Sequence, residues 1–559
     1  MPATKIERSG AVRMTTDAGG AWEADVIVVG AGPAGLTAAA ELARHGARVR
    51  VFDKNPGPTL YSRASVVHVR TQETLSAMGL ADRFVARAYP LEAISLHAFG
   101  KFMGGIRLSG ADSAYPMPRI IGQHVTERLL LERLDELAVP VERGVEALGL
   151  VDDGERVTLR LKRAGGAESA LSASYVIAAD GANSGLRAAA EIPFEGETTD
   201  AFEFLQTDCE LRWSYPTGRS YLFVTKDRFL GLFPFDPDGA YRIVCARVDQ
   251  DPDNLEAPDL EEIEAILREI ADPDAVLVEP RWLNRMRGEP RLAKKFRSGR
   301  LFLAGDAAHV HLPIGGQGMN SGIQDGFNLG WKLAAVIKGT AQPELLETYG
   351  AERLPVAEDL LKFTDRGFHS MVKPGDLAQR AMKLFGASVM GLESVQDRLR
   401  RTVGEVPISY LTSSLSQDHG GTIGPIAGER APDGVAVRAS DRKTVRLMRA
   451  IAGEAWGFLI FAGLDQSDVG GRLAEIAQRA VTGFGARIKP ILITPERPPE
   501  TWPGEVLIDR DQLLHDRYGV RHAALYLLRP DGYVGFRGPA AQAELLDAYL
   551  ARWLVPDGE

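Results

Sequence analysis

Residues Ala24–Lys54, ADVIVVGAGPAGLTAAAELARHGARVRVFDK, leave this chain few ways to fold. The apolar run Asp25–Val29 predicts a strand buried on both faces. Gly30, Gly32 and Gly35 follow with the spacing G-x-G-x-x-G. An Ala/Leu-rich segment then predicts a helix to about His45, and Arg48–Phe52 predicts a second strand that ends in Asp53. Together these make one βαβ unit. Gly30 suits the tight turn, Gly32 lets a pyrophosphate reach the backbone, and Gly35 lets helix and strand approach closely. The helix N-terminus favours an anion, and Asp53 suits an adenosine ribose. The unit predicts dinucleotide binding, with NAD and FAD both open.

Two later segments bear on that choice. YVIAADGANSGLR, Tyr175–Arg187, reads as a buried strand that ends in Asp180-Gly181 and continues to Ser184 and Arg187. FLAGDAAHVHLPIGGQGMNSGIQDGFNLGWKLAAVIKG, Phe302–Gly339, reads as a strand over Leu301–Ala304, a loop of about a dozen residues, and a helix from near Asn320 to about Lys338. Asp306 at a strand end suits a polyol. Gly315, Gly316 and Gly318 let backbone amides approach a flat ring, and a helix N-terminus stabilises negative charge on it. Reduced flavin carries such charge. NAD has neither ribitol nor a ring that becomes anionic. His309 and His311 lie in the same loop without an evident carboxylate or thiolate cluster, so no metal is expected and a backbone-satisfying role is assigned to both.

At 559 residues the chain exceeds one hydrophobic core, and three domains are expected. The net charge of −10 without a basic block argues against nucleic acid or an anionic membrane as partner. No apolar run approaches the roughly 18 residues of a membrane span. Residues 1–22 read as a disordered tail lacking a secretory apolar core, and Met14 is an alternative start. Only Cys209 and Cys245 are present, which fits a reducing, cytoplasmic setting.

The three motifs in this order resemble the FAD-dependent aromatic hydroxylases, the class A flavoprotein monooxygenases that include para-hydroxybenzoate hydroxylase and phenol hydroxylase. The resemblance covers most of residues 24–365. It extends to RASVVHVRTQETLSAMGL (Arg63–Leu80), IGQHVTERLLLERL (Ile121–Leu134) and TYGAERLPVAEDL (Thr348–Leu360). It implies that Gly30, Gly32, Pro33, Ala34, Gly35, Asp53 and Lys54 hold the ADP half of FAD. Arg63 and Gln123 would contact its middle, and Gly305 and Asp306 its ribitol. Pro313, Gly316, Gly318, Met319 and Asn320 would line the isoalloxazine. Asp180 and Arg187 would serve FAD and NAD(P)H. Asp53 is shorter than the usual Glu, and Leu312 stands where a small residue or proline is common.

The implied activity is a monooxygenase that uses NADPH or NADH and O₂ to hydroxylate a phenolic substrate through a flavin C4a-hydroperoxide. A Baeyer–Villiger-type or other oxygenase acting on a polyketide is the alternative within enzymes. A non-catalytic flavoprotein subunit is the alternative outside them.

The expected fold class is α/β with three parts: a Rossmann-like FAD-binding domain, a β-sheet substrate domain, and a C-terminal domain. The FAD-binding domain takes residues 23–87, 119–194 and, with a helical region, 286–400. The substrate domain takes 88–118 and 195–285. Residues 202–241 hold ten aromatics, against 7% for the chain, and alternate as a half-buried sheet would. Trp213, Tyr221, Tyr241 and Arg242 are the pocket candidates. Residues 401–559 resemble the thioredoxin-like domain of the phenol-hydroxylase branch. They contain no cysteine and so cannot exchange dithiols. That leaves a structural or oligomer-forming role, with a homodimer as one assembly open to it.

Overall fold

The computed structural model describes residues 24–59, 64–196, 202–248, 256–287, 289–372, 386, 388–464, 471–496 and 501–558. The expected tail 1–22 and Arg63 lie outside these residues. Among them, no helix is long and apolar enough to cross a membrane.

The first sheet grows from the opening motif. Strand β1 (Val26–Val29) is four buried β-branched residues, which suit a two-sided core strand. Helix α1 (Pro33–Arg44) starts at a proline whose fixed φ suits the first helical turn. Strand β2 (Val49–Asp53) lies parallel to β1, which bonds on its other edge to β3 (Tyr175–Ala178), also parallel. Helix α2 (Gln123–Glu136) comes between β2 and β3 in the chain. Leu301–Leu303 adds outside β3, and Val141–Arg143 outside β2. The chain therefore leaves β1 in one direction and returns on its other side. That switch point, at the C-terminal ends of the strands, is where open α/β sheets bind ligands.

The second sheet has seven strands among the described residues. β4 (Phe202–Arg212) lies between the edge strand β5 (Val276–Arg287) and Ala240–Val248, beyond which come Arg228–Pro234, Ser220–Val224 and the hairpin Ala93–Ala98 with Lys101–Arg107. Helix α3 (Leu260–Ile270), capped by Asp259, covers one face through Ile263, Ile266 and Leu267. Asp236 sets the turn that leads into Ala240–Val248, its Oδ1 accepting from the amides of Asp238, Gly239 and Ala240.

Helix α4 (Gln317–Ile337) packs along α1, and α5 (Glu347–Val372) follows it. A Cβ at Gly326 would stand 2.4 Å from Ala34 O, and one at Gly330 2.7 Å from Glu41 Cβ, so glycine is required for this approach. The expected start of α4 near Asn320 falls three residues late. Gly315 and Gly316 adopt φ of 73° and 66°, which turns the chain early and lets the helix begin at Gln317.

In the C-terminal unit, β6 (Trp456–Phe461) pairs parallel with β7 (Ile488–Thr494) and antiparallel with β8 (Ala524–Leu528). β8 pairs antiparallel with β9 (Val534–Pro539), and helix Ala543–Trp553 follows. The hairpin between β8 and β9 turns at Pro530-Asp531-Gly532, where Gly532 N donates to Arg529 O at 2.9 Å. This unit is fastened to α4 and α5 by buried charges. Arg529 meets both Glu352 oxygens at 2.7 and 2.8 Å, and Lys332 Nζ meets Glu352 at 2.7 Å.

Candidate active site

The nucleotide end is assembled at the switch point. A Cβ at Gly30 would lie 2.1 Å from Ala179 O, and one at Gly35 2.0 Å from Gly30 O, so both glycines are fixed by packing. Gly32 differs: nothing lies within 4 Å of the position its Cβ would take. It caps α1 without a side-chain acceptor, which leaves the first-turn amides for an incoming anion. Asp53 Oδ2 accepts from Ala31 N at 2.7 Å, and Oδ1 from Asn55 N at 2.8 Å. The carboxylate thus holds the glycine turn. Lys54, next to it, is exposed.

Gln123 opens α2 and donates to Glu127 Oε1 at 2.9 Å. Burial pushes the Glu127 carboxyl up, against hydrogen bonds from Gln123 and Thr59. Glu127 was not singled out by sequence, although it sits four residues from Gln123 on the same helix face.

The other two motifs come to the same end. Gly305 has φ 61°, and a Cβ there would be 2.8 Å from Ala34 Cβ. Exposed Asp306 is thereby set beside the start of α1. Arg187 donates from Nη1 to Ala307 O at 3.0 Å and from Nη2 to Ala182 O at 2.8 Å, tying the Asp180-Gly181 segment to that turn. Ser184 caps the Arg187 amide at 3.0 Å. Asp180 Oδ1 is buried without a partner.

The flavin loop, Pro313–Asn320, is braced from beneath. Asn320 Oδ1 accepts from His68 N at 2.9 Å, while its Nδ2 donates to Val66 O at 2.9 Å and Gly316 O at 2.7 Å. Its amide is thus fully used by backbone, so its side chain shapes the loop. His68 Nε2 bonds Gly315 O at 2.8 Å, and burial lowers its pKa to about 4. His311 is likewise lowered to about 4 by burial, its Nδ1 bonding Leu312 O at 2.7 Å. Both rings are therefore neutral. Positive potential for an anionic ring comes instead from the start of α4, where Gly316 caps without a side-chain acceptor. Half-buried Pro313 opens the loop, Met319 packs into the core, and Gly318 lies against His311, whose Nε2 would be 3.2 Å from a Cβ there.

His309 requires a correction. The sequence offered no carboxylate near it, yet its Nε2 lies 2.7 Å from Asp325 Oδ2. Asp325 is eight residues into α4 and meets the loop only through the fold. Burial would raise its pKa, but Arg353 and His309 outweigh that and lower it. Arg353 lies in the TYGAERLPVAEDL segment, which had been noted without a role.

Three pocket candidates lie on the face of the second sheet turned away from Leu312. Tyr221 and Tyr241 share a core with Ile263, Ile266 and Leu267 of α3, and Trp213 packs against it. Their hydroxyls bond Pro216 O at 3.0 Å and Arg219 O at 3.2 Å. Strand alternation explains the placement: aromatic density marks a β-rich region without saying which face each ring takes. The opposite face carries Phe202, Phe204, Val224 and Ala246, in one cluster with Leu312, the residue just before the flavin loop. Arg242 lies on this second face, opposite Asp208 in register, and is held by that carboxylate through Nε and Nη2.

Gly32 open to approach, two helix N-termini without side-chain caps and the unpartnered Asp180 carboxylate oxygen fit an extended dinucleotide with an anionic ring. Comparison with known proteins agrees. Residues 23–364 match the family described as FAD binding domain. The chain is 35% identical over 548 residues to 6-methylpretetramide 4-monooxygenase of Streptomyces rimosus, covering 95% of this chain and 94% of that protein. It is 32% identical over 543 residues to pentachlorophenol 4-monooxygenase of Sphingobium chlorophenolicum, covering 95% and 97%. Aklavinone-11 hydroxylase, solved as a ternary complex with FAD and aklavinone, superposes with a TM-score of 0.75 at 25% identity, covering 95% and 99%. The chain belongs to the FAD-dependent aromatic hydroxylases, the class A flavoprotein monooxygenases. It is an FAD-dependent monooxygenase of aromatic compounds.

Proposed function

We propose that the substrate is a phenolic, fused-ring aromatic of polyketide type, bound between the flavin loop and the second sheet. The observation that carries this is the cluster joining Leu312 to Phe204, Val224 and Ala246, which gives the loop a broad apolar wall. Two of the relatives support it, since their names specify 6-methylpretetramide and aklavinone.

FAD, when bound and reduced by NADPH or NADH, would activate O₂, the source of the transferred oxygen atom. The protein's own residues do the rest. Gly30–Gly35 and Asp53 hold the ADP half, Gln123 the middle, and Gly305-Asp306 the ribitol. The amides at the start of α4 offset negative charge on the ring, and the apolar wall excludes water. Arg242 stays a candidate for the pocket.

The strand order β9-β8-β6-β7, with β6 and β7 parallel and β8 reversed, supports reading the C-terminal unit as thioredoxin-like, built from residues 401–559. The domain division given from sequence, a cytoplasmic setting and a homodimer belong to the same proposal.

The test is to follow NADPH and NADH oxidation, product and hydrogen peroxide together across simple phenols and hydroxylated anthraquinones. The reading expects at least about tenfold stimulation by a fused-ring phenol, a barrier change of roughly 1.4 kcal/mol. Stimulation by simple phenols alone would exclude the fused-ring class.

A further inference from the structure

Along β4 the residues facing the flavin loop change in character. Phe202 and Phe204 are apolar and cluster with Leu312. Gln206 and Asp208, next on the same face, are polar and buried. The charges of Asp208 and Arg242 bear on His124, the neighbour of Gln123. Gln206 is thus bracketed by two elements of the cofactor site, the loop at Leu312 and the start of α2.

Asp208 is satisfied, since Arg242 and the indole of Trp282, at 2.8 Å, both donate to it. Gln206 is not. It is 1% exposed, and its Oε1 has no hydrogen-bond partner. Its register neighbour on β5 is Asn284, whose Nδ2 is also buried without a partner. Proteins keep few such groups, and each one calls for an explanation. Here an acceptor and a donor stand side by side between two kinds of neighbour: the mutually satisfied Asp208 and Arg242 on one side, and on the other Val244 and Met286, which adjoin in register and pack on the Leu312 cluster.

We propose that Gln206 and Asn284 form a specificity-determining pair, reading a hydroxyl donor beside a carbonyl acceptor on the end of the substrate remote from the reacting ring. This deepens the fused-ring reading of the site and rests on it. Gln206 lies two residues beyond Phe204, about 7 Å along the strand. A single phenol placed against Leu312 ends short of that pair, whereas two or three fused rings bring a hydroxy-ketone edge to it. A pocket that hydrogen-bonds such an edge rejects analogues lacking it, because its own amides are then left unpaired.

The experiment uses FAD-loaded enzyme and reads perturbation of the flavin spectrum. The probes are 1,8-dihydroxyanthraquinone, which carries hydroxyls beside a carbonyl, unsubstituted 9,10-anthraquinone, and phenol. The wild type should bind the dihydroxy probe at least about tenfold tighter than anthraquinone. Gln206→Leu and Asn284→Leu should each erase most of that preference with FAD content unchanged. Gln206→Glu, which keeps the acceptor, should retain it. Equal preference in wild type and both leucine variants overturns the pair and leaves the fused-ring reading standing. A wild type that binds phenol and neither quinone overturns that reading, and the pair with it.

Discussion

His309 and Asp325 meet at 2.7 Å, with both side chains fully buried. One residue is in the segment that follows Asp306, the other in helix α4. The second Asp325 oxygen accepts from Arg353 Nε at 2.6 Å. The carboxylate therefore locks loop, α4 and α5 together. Removing one partner of a buried ion pair costs about 3–5 kcal/mol, because the other charge remains. Asp325→Asn should lower urea stability by that order and release FAD more readily. Unchanged stability and FAD retention would show that the contact carries no weight.

Gly32 and Gly326 separate cofactor binding from folding. A methyl at Gly32 meets nothing within 4 Å, and its φ of −82° suits any residue. Gly32→Ala should leave apoprotein stability within about 0.5 kcal/mol while weakening FAD at least about tenfold, since the methyl occupies the phosphate approach. Gly326→Ala, with its 2.4 Å clash on Ala34 O, should destabilise the apoprotein itself. Denaturation of both apoproteins, with FAD titration of Gly32→Ala, checks the contrast, and a destabilised Gly32→Ala would refute it.

Asp306 is exposed and stands next to the α1 N-terminus. A charge-assisted hydrogen bond to ribitol contributes roughly 1.5–3 kcal/mol. Asp306→Ala should weaken FAD by about ten- to a hundredfold. A folded variant with unaltered FAD affinity would remove Asp306 from the site.

The local part of this site was legible because its constraints are local. Gly30, Gly32, Gly35 and Asp53 lie within one βαβ unit, so spacing alone fixes their relation. Loop residues Pro313–Asn320 were legible through composition. What escaped depends on long-range pairing. Asp325 meets His309 only once α4 has packed, and Gln206 gains meaning only opposite Asn284 on another strand. The face that Tyr221 and Tyr241 take was not legible, because alternation gives two faces without saying which one meets Leu312.

Arg529 anchors the C-terminal unit. It bonds both oxygens of Glu352 and reaches Asp531 Oδ1 at 3.0 Å, in a fully buried setting. Arg529→Met would leave Asp531 without its main partner and Glu352 with Lys332, at a cost of about 3–5 kcal/mol. The expected outcome is lower stability of the whole chain, and chemical denaturation followed by flavin and tryptophan fluorescence together measures it. Unaltered unfolding by both probes would show the junction to be loose.

Glu405 makes stability fall with rising pH. Its side chain is buried beneath the site, where Gln324 Nε2 donates to Oε2. Burial raises its pKa from 4.5 to about 8, in spite of Gln324, Arg353 and Thr71. Between those values the folded chain holds a proton that the unfolded chain has lost. The stabilisation is complete below about pH 4.5 and is lost as pH rises through about 8, by up to about 1.4 kcal/mol for each pH unit. Glu405→Gln keeps the shape and removes the titration. The variant should resemble wild type near pH 5 and exceed it near pH 8. Other groups titrate alike in both proteins, so the difference between their denaturation curves at pH 5, 6.5 and 8 isolates Glu405. A difference that stays constant across the three values would mean that Glu405 keeps its charge in the folded chain, with a cation closer than the hydrogen bonds of Gln324 and Thr71 imply.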